Sequence, residues 1–200
     1  RPPGKPLLAL QHPQGVLALA AAPDGSRVAT GCVDGRARLW DVSSGKLLCE
    51  SMLHDGPVTA VAFADDGKLL LTGGKDRRLG VWDVSTGQPR RPAITLGDEI
   101  TSLASVPSSS LVLVGGQDRG AWLMDYTTGQ TQGVKMLHDQ PVLAVAVLPG
   151  PEGWLATGGA DRVVKFWDRT NCRETAGPLQ LRDGVLALAV TATGDRLVTG

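Results

Sequence analysis

Residues 54–84 run HDGPVTAVAFADDGKLLLTGGKDRRLGVWDV. Three short runs rich in β-forming and apolar residues stand out in and around this stretch, from Pro57 to Phe63, Lys68 to Gly73 and Arg78 to Val84, and a weaker fourth follows near Ala93 to Leu96. Asp65-Asp66-Gly67 separates the first pair and Ser85-Thr86-Gly87 the last pair, and Gly-containing turns of this kind let a chain reverse tightly. The pattern predicts a four-stranded antiparallel meander. Its first strand is apolar on both faces, through Val58, Ala60, Val61, Ala62 and Phe63, so the small sheet needs a cover on each side.

The cover comes from repetition. Trp40-Asp41, Trp82-Asp83, Met124-Asp125 and Trp167-Asp168 close four similar phrases spaced by 42, 42 and 43 residues. Six residues before each pair stands an aspartate, Asp34, Asp76, Asp118 or Asp161, and four before that Thr30, Thr72, Val114 or Thr157. His12, His54 and His138 open three of the units; the other opens with Gly97-Asp98. Pro23-Asp24-Gly25, Ser43-Ser44-Gly45 and Thr127-Thr128-Gly129 recur at equivalent turns. A fixed period of this size marks stacked units that bury one another's faces. The expected division of residues 1–200 is the end of a preceding blade at 1–11, repeats at 12–53, 54–96, 97–137 (degenerate) and 138–181, and the start of a further repeat at 182–200.

The period, the histidine, the threonine, the turn aspartate and the closing Trp-Asp pair resemble the WD-repeat (WD40) family over essentially the whole chain. The resemblance implies an all-β propeller of four-stranded antiparallel blades. Four are complete, Pro6 to Leu10 reads as the last strand of an earlier blade, and Val185 to Gly200 supplies two strands of a later one. The chain lacks an initial Met and stops within a strand pattern, so it reads as part of a ring of about seven or more blades. It departs from the family's Gly-His wording with Gln11-His12, Leu53-His54 and Leu137-His138.

In the family the four polar positions form a hydrogen-bonded chain inside a blade. The sets His12, Thr30, Asp34, Trp40; His54, Thr72, Asp76, Trp82; and His138, Thr157, Asp161, Trp167 therefore resemble structural tetrads. Buried indole, hydroxyl, imidazole and carboxylate groups are costly unless paired, and paired they stiffen their surroundings. The competing reading is catalytic or metal chemistry, which uses the same residue types. Repetition argues against it, because all three histidines fall at equivalent places. The third unit loses histidine, threonine and tryptophan together, which is read either as drift held by packing or as a blade loosened for partner contact.

Composition narrows the partner. Lys plus Arg and Asp plus Glu number 20 each, so no basic field favours nucleic acid or an anionic membrane. The longest apolar run, Val16 to Ala22, is far short of a membrane-spanning helix. Cys32, Cys49 and Cys172 form neither a disulfide framework nor a zinc motif, which points to a reducing, cytoplasmic setting. Cys32 reads as a small core residue and Trp154 as packing at a blade edge.

No catalytic residue, cofactor or metal ligand is expected, nor a small-molecule substrate. The expected activity is that of a non-catalytic scaffold binding a protein or peptide. The alternatives are a regulatory or sensing propeller of a larger signalling protein, for instance beside a kinase, and, least favoured, a propeller hydrolase using Asp65-Asp66 or Asp98-Glu99. The candidate docking rim comprises Asp55, Lys75, Arg77, Asp98, Gln117, Arg119, Asp139, Gln140 and Arg162, weighed against ordinary solvated turns. Trp122 stands where the other units have Arg38, Gly80 and Lys165. It reads as an aromatic anchor or as filling for the space beside Met124.

Overall fold

The structure, a computed structural model, describes residues 9–150, 153–175, 177–191 and 193–200. Its strands are β1 (Val16–Ala21), β2 (Arg27–Cys32), β3 (Arg36–Asp41), β4 (Leu47–Leu53), β5 (Val58–Ala64), β6 (Leu69–Gly74), β7 (Arg78–Asp83), β8 (Ile94–Thr95) and β9 (Ile100–Ser105). They continue as β10 (Leu111–Gly116), β11 (Gly120–Asp125), β12 (Thr131–Leu137), β13 (Val142–Val147), β14 (Trp154–Gly159), β15 (Val163–Asp168), β16 (Leu179–Gln180), β17 (Leu188–Val190) and β18 (Leu197–Thr199). Four antiparallel four-stranded sheets follow in chain order, then a two-stranded one. Each of the four is a meander inside one of the expected repeats. Of the strand expected at Pro6 to Leu10, residues 6–8 lie outside the described residues, and residues 9 and 10 form no strand.

The outer strands of the second and fourth blades are cut to two residues, whereas β4 and β12 have seven. Pro89 and Pro92 explain the second blade: proline offers no N–H to a ladder, and only an isolated bridge from Trp82 to Pro89 precedes β8.

The core lies between blades. Leu70 faces a cluster with Leu39, Met52, Val58 and Phe63 of the first and second blades, while its neighbour Leu71 faces Ile100, Val112 and Met124 of the second and third. Val112 and Leu113 split in the same way, Leu113 joining Leu155 and Trp167. The period-two alternation of a strand thus feeds two cores at once.

The innermost strands are also tied by side chains. Thr59 Oγ1 donates to the Ile100 carbonyl, Thr101 Oγ1 to that of Val142 at 2.5 Å and Ser105 Oγ to that of Phe63 at 2.6 Å, while Ser102 Oγ accepts the Val145 N–H at 3.2 Å. The third blade is therefore fastened on both sides.

Candidate functional site

In a four-stranded meander, the turn between the second and third strands and the link to the next blade lie at the same end. Here backbone bonds join them. Lys75 N–H donates to the Pro57 carbonyl and Gln117 N–H to that of Glu99, while the carbonyls of Arg77, Arg119 and Arg162 accept from Leu96, His138 and Leu181. All nine candidate rim residues consequently share one end of the sheets. Lys75, Arg77, Gln117, Arg119, Asp139, Gln140 and Arg162 are exposed there and Asp98 half-buried. Asp55 is exposed and forms an ion pair with Arg78 at 2.5 Å.

Beneath this end run the polar chains. In the second blade His54 Nδ1 is 3.0 Å from both carboxylate oxygens of Asp76, and its Nε2 is 2.7 Å from Thr72 Oγ1, which also accepts the Trp82 indole N–H at 2.7 Å. One polarity satisfies every group: indole to hydroxyl, hydroxyl to Nε2, and Nδ1–H to carboxylate, with the imidazole neutral. Asp76 also accepts the N–H of Asp55, which fastens the rim loop to the turn. Burial alone would raise the Asp76 carboxyl, but the hydrogen bond from His54 and two backbone donors hold it below its usual value.

The fourth blade repeats the set. His138 lies 2.9 Å from Asp161 and 2.7 Å from Thr157, Trp167 Nε1 donates to Thr157 at 2.8 Å, and Asp161 accepts the Asp139 N–H. Burial pushes the His138 imidazole below its ordinary value, only partly opposed by Asp161.

The first blade departs from the expected set. Trp40 and His12 do meet Thr30, at 3.0 and 2.9 Å, but Asp34 does not reach His12. Asp34 is held by Arg38 through two bonds of 2.6 and 3.2 Å, and His12 Nδ1 donates instead to the Leu10 carbonyl at 2.9 Å. The cause is competition: a guanidinium four residues on offers two charge-assisted donors where imidazole offers one. The hydrogen bond from Arg38 lowers Asp34 from the usual carboxylate range.

In the third blade the register puts Leu96, and neither Gly97 nor Asp98, in the histidine's place: its N–H donates to the Arg77 carbonyl as those of His54 and His138 donate to Gly35 and Arg119, and it packs on the apolar cluster in which Val114 and Met124 are buried. Trp122 is half-buried, with the Lys135 ammonium 4.9 Å from its ring centroid, and Lys135 Nζ lies 2.5 Å from Asp118.

At the opposite end a role missed in the sequence falls to Asp41, Asp83, Asp125 and Asp168. Each caps the turn that follows, accepting backbone N–H groups and a hydroxyl such as Ser44, Ser85, Thr127 or Thr170. The signal was legible as an aspartate ahead of two polar residues and a turn residue. These bonds, led by the Ser44 hydroxyl, bring Asp41 down to about 2.

Asp65 and Asp66 lie in a turn at that same opposite end, at φ of 48° and 51°, while Asp98-Glu99 lies at the rim. Among the described residues, no group of three or more His, Cys, Asp or Glu is placed to hold a metal ion, and no helix is long and apolar enough to cross a membrane.

Stacked four-stranded meanders carrying internal Trp-Thr-His-Asp chains define a WD-repeat β-propeller. The family "WD domain, G-beta repeat" matches residues 4–41, 45–83 and 130–168, more than half of the chain, and the chain belongs to this family. The second and third matches start just before an outer strand and end on the third strand of the next blade, so they straddle the boundaries drawn at the histidines. The interval between residues 83 and 130 holds most of the degenerate unit. The solved structure of U3-55K is similar over 95% of this chain and 59% of its own, with a TM-score of 0.84 and 19% identity, a likeness of fold. The chain thus spans just under three-fifths of that structure's length. No match to it was found among curated proteins. WD40 repeats generally mediate protein–protein interaction and are generally non-catalytic.

Proposed function

We propose that this propeller is a non-catalytic platform on which a protein or peptide docks at the rim carrying Lys75, Arg77, Arg119 and Arg162. One observation carries the reading. The three arginines sit at φ of 64°, 63° and 66°, a left-handed conformation that the first blade gives to Gly35 at 78°. A non-glycine residue there costs on the order of 1 kcal/mol. Three long, exposed cations are thus held at equivalent turns, and none of them has an ion-pair partner among the described residues. Unpaired charge on a stiff base gives a partner orientation and a faster encounter. The three free cysteines fit a reducing, intracellular setting for such a partner.

Site-specific photo-crosslinking tests this. A benzophenone side chain placed at Arg119 in the full-length protein should capture a defined protein, in a salt-sensitive way, and the capture should fail when Arg77 and Arg162 are reversed to Glu. The same group at Thr128, on the opposite end of that blade, should capture none. Capture from Thr128 alone would refute the rim reading.

A further inference from the structure

At the end opposite the rim, the seam between the second and third blades is built unlike its neighbours. The first blade's seven-residue β4 lays Cys49 against Gly87 in the next blade's turn, and the third blade's β12 lays Gly133 against Cys172. In the second blade Pro89 and Pro92 leave an outer strand of only two residues, and Arg91, between those prolines, crosses the seam instead. It lies over Gly129, where a built Cβ would sit 3.5 Å from its Nη2, and its Nη1 donates to the Tyr126 carbonyl at 3.1 Å. The short strand leaves a groove open along the seam.

One stretch of the groove, about 220 Å³, is lined by Leu69, Val81, Arg90, Arg91, Tyr126 and Thr127. A second, about 440 Å³, shares four of these residues and runs past Asp65, Asp66 and the serines at 108–110. Val81 and Tyr126 are buried and Leu69 half-buried, which gives the groove an apolar floor. Beside it stand two guanidiniums with most of their donors unspent. Arg90 is exposed, and its ion pair with Asp83 is long at 3.5 Å. Arg91 spends one of its five donors within the chain, and its Nε is the one buried side-chain nitrogen or oxygen without a partner among the described residues. Buried donors are rarely left so in folded chains. With Nη1 taken by Tyr126, the free edge of Arg91 is Nε with Nη2, a fork that a carboxylate bonds through both oxygens.

We propose that this seam binds, as a ligand rather than a substrate, a small organic monocarboxylate with an apolar body, such as an arylalkanoate. Arg91 turns about its bond to Tyr126 and presents Nε and Nη2 to the carboxylate, Arg90 adds a second cation, and the body lies on Leu69, Val81 and Tyr126. A single negative charge fits best. Asp65 and Asp66 line the same groove, Asp65 only loosely paired with Lys68 at 3.8 Å, and Asp83 lies beside Arg90, so the two arginines carry no excess charge for a dianion such as a phosphate monoester. Volume sets the size, since a cavity of about 150 Å³ already holds a benzene ring. The site is at the end away from the rim, and rim docking neither requires nor excludes it.

Titration of the ¹⁵N-labelled full-length protein with 3-phenylpropionate tests it, with 3-phenylpropanol, acetate and phenyl phosphate as controls. Saturable shifts are expected at the Arg91 Nε–H resonance and at the amides of Val81, Arg90 and Thr127, and each control should bind about tenfold more weakly or not at all. Arg91→Gln should weaken binding about tenfold, and Arg91→Lys, which keeps the charge without the fork, should not restore it. Because Arg91 also joins two blades, its variants are read beside melting curves. Arg90→Glu leaves that junction intact and should itself weaken binding about tenfold. The absence of saturable shifts, any control binding as tightly as the acid, or binding undiminished in both Arg91→Gln and Arg90→Glu would overturn the site. Shifts confined to rim residues such as Lys75 and Arg119 would do the same.

Discussion

Replacing Thr72 by valine removes one oxygen and keeps the shape of the side chain. Thr72 is fully buried, and its Oγ1 is the shared partner of His54 Nε2 and the Trp82 indole N–H. His54, with its side chain 2% exposed, has no route to water, whereas half-buried Trp82 has some. An orphaned buried polar group costs about 1–3 kcal/mol, so a full penalty for the imidazole and part of one for the indole give roughly 2–4 kcal/mol. For a chain of this size that corresponds to a fall in Tm of roughly 5–15 °C. Thr72→Ser keeps the hydroxyl and should cost only about 1 kcal/mol for the lost methylene-sized group. The reverse change in the third blade, Val114→Thr, buries a hydroxyl with neither imidazole nor indole to meet it and should destabilise by about 1–3 kcal/mol. Guanidinium and thermal melts of the three variants make the comparison. Because stacked repeats need not unfold in one step, hydrogen exchange of the β6 and β7 amides should be read alongside. If Thr72→Val melts with Thr72→Ser, or Val114→Thr stabilises, the polar chains are not the struts described here.

Two further outcomes are expected. Asp41, Asp83 and Asp168 lie below their ordinary 3.8 because turn hydroxyls donate to them, and His138 lies below its ordinary 6.5 because it is buried. In each case the unfolded chain takes up its proton at the higher pH. Stability is therefore complete above about pH 6.5, declines as the pH falls toward the folded value of His138, and declines again below about pH 4 as the aspartates protonate. Tm measured against pH should show both declines, His138→Gln should flatten the first, and a profile unaltered by that variant would exclude the histidine. The second outcome concerns a size swap between blades: Cys49 on β4 faces Gly87 in the next blade's turn, whereas Gly133 on β12 faces Cys172, which adopts φ of 56° in the turn-glycine position. A Cβ at Gly87 would strike the Cys49 sulfur, so Gly87→Ala should cost about 2–3 kcal/mol, part of it from the left-handed φ of 68°. Cys49→Gly in the same protein should recover about 1 kcal/mol or more, and a strictly additive double-mutant cycle would disprove the contact.

The strands of the second blade were legible to within a residue or two, because apolar runs and Asp-Gly or Thr-Gly turns coincide there. The outer strands were less so: prolines at 89 and 92 cancel ladder donors that the apolar pattern around Ile94 suggests. Residue types also marked out the polar chains, but not who would win a contested partner. The sequence offers Asp34 both His12 and Arg38 as partners, and only geometry shows that the arginine takes it; the spacing of four between Asp34 and Arg38 was the available hint. The ties from Thr59, Thr101 and Ser105 were invisible, because they join residues about forty positions apart on neighbouring blades, and nothing local distinguishes them from ordinary strand threonines and serines. The exchange of cysteine and glycine between Cys49 with Gly87 and Gly133 with Cys172 escaped notice for the same reason.

The third blade shows why a propeller can surrender one of its polar chains. Removing a single member would strand the others, but here imidazole, hydroxyl and indole are all gone, and Val114 and Met124 fill the apolar cluster shared with the second blade. Rigidity then comes from outside the blade, through apolar faces on both sides and through the ties of Thr59 to Ile100, Ser105 to Phe63 and Thr101 to Val142. A blade fixed by its neighbours does not depend on a buried histidine–aspartate bond. In the second and fourth blades Asp76 and Asp161 are committed to histidine and to the rim-loop N–H, with side chains only 5% and 7% exposed. Asp118, at 27%, instead pairs with Lys135 and accepts the Gly120 N–H of its own turn. Where the repeat pattern is weakest, the turn aspartate keeps its bond within the turn and exchanges a buried imidazole for a partly exposed ammonium of the same blade.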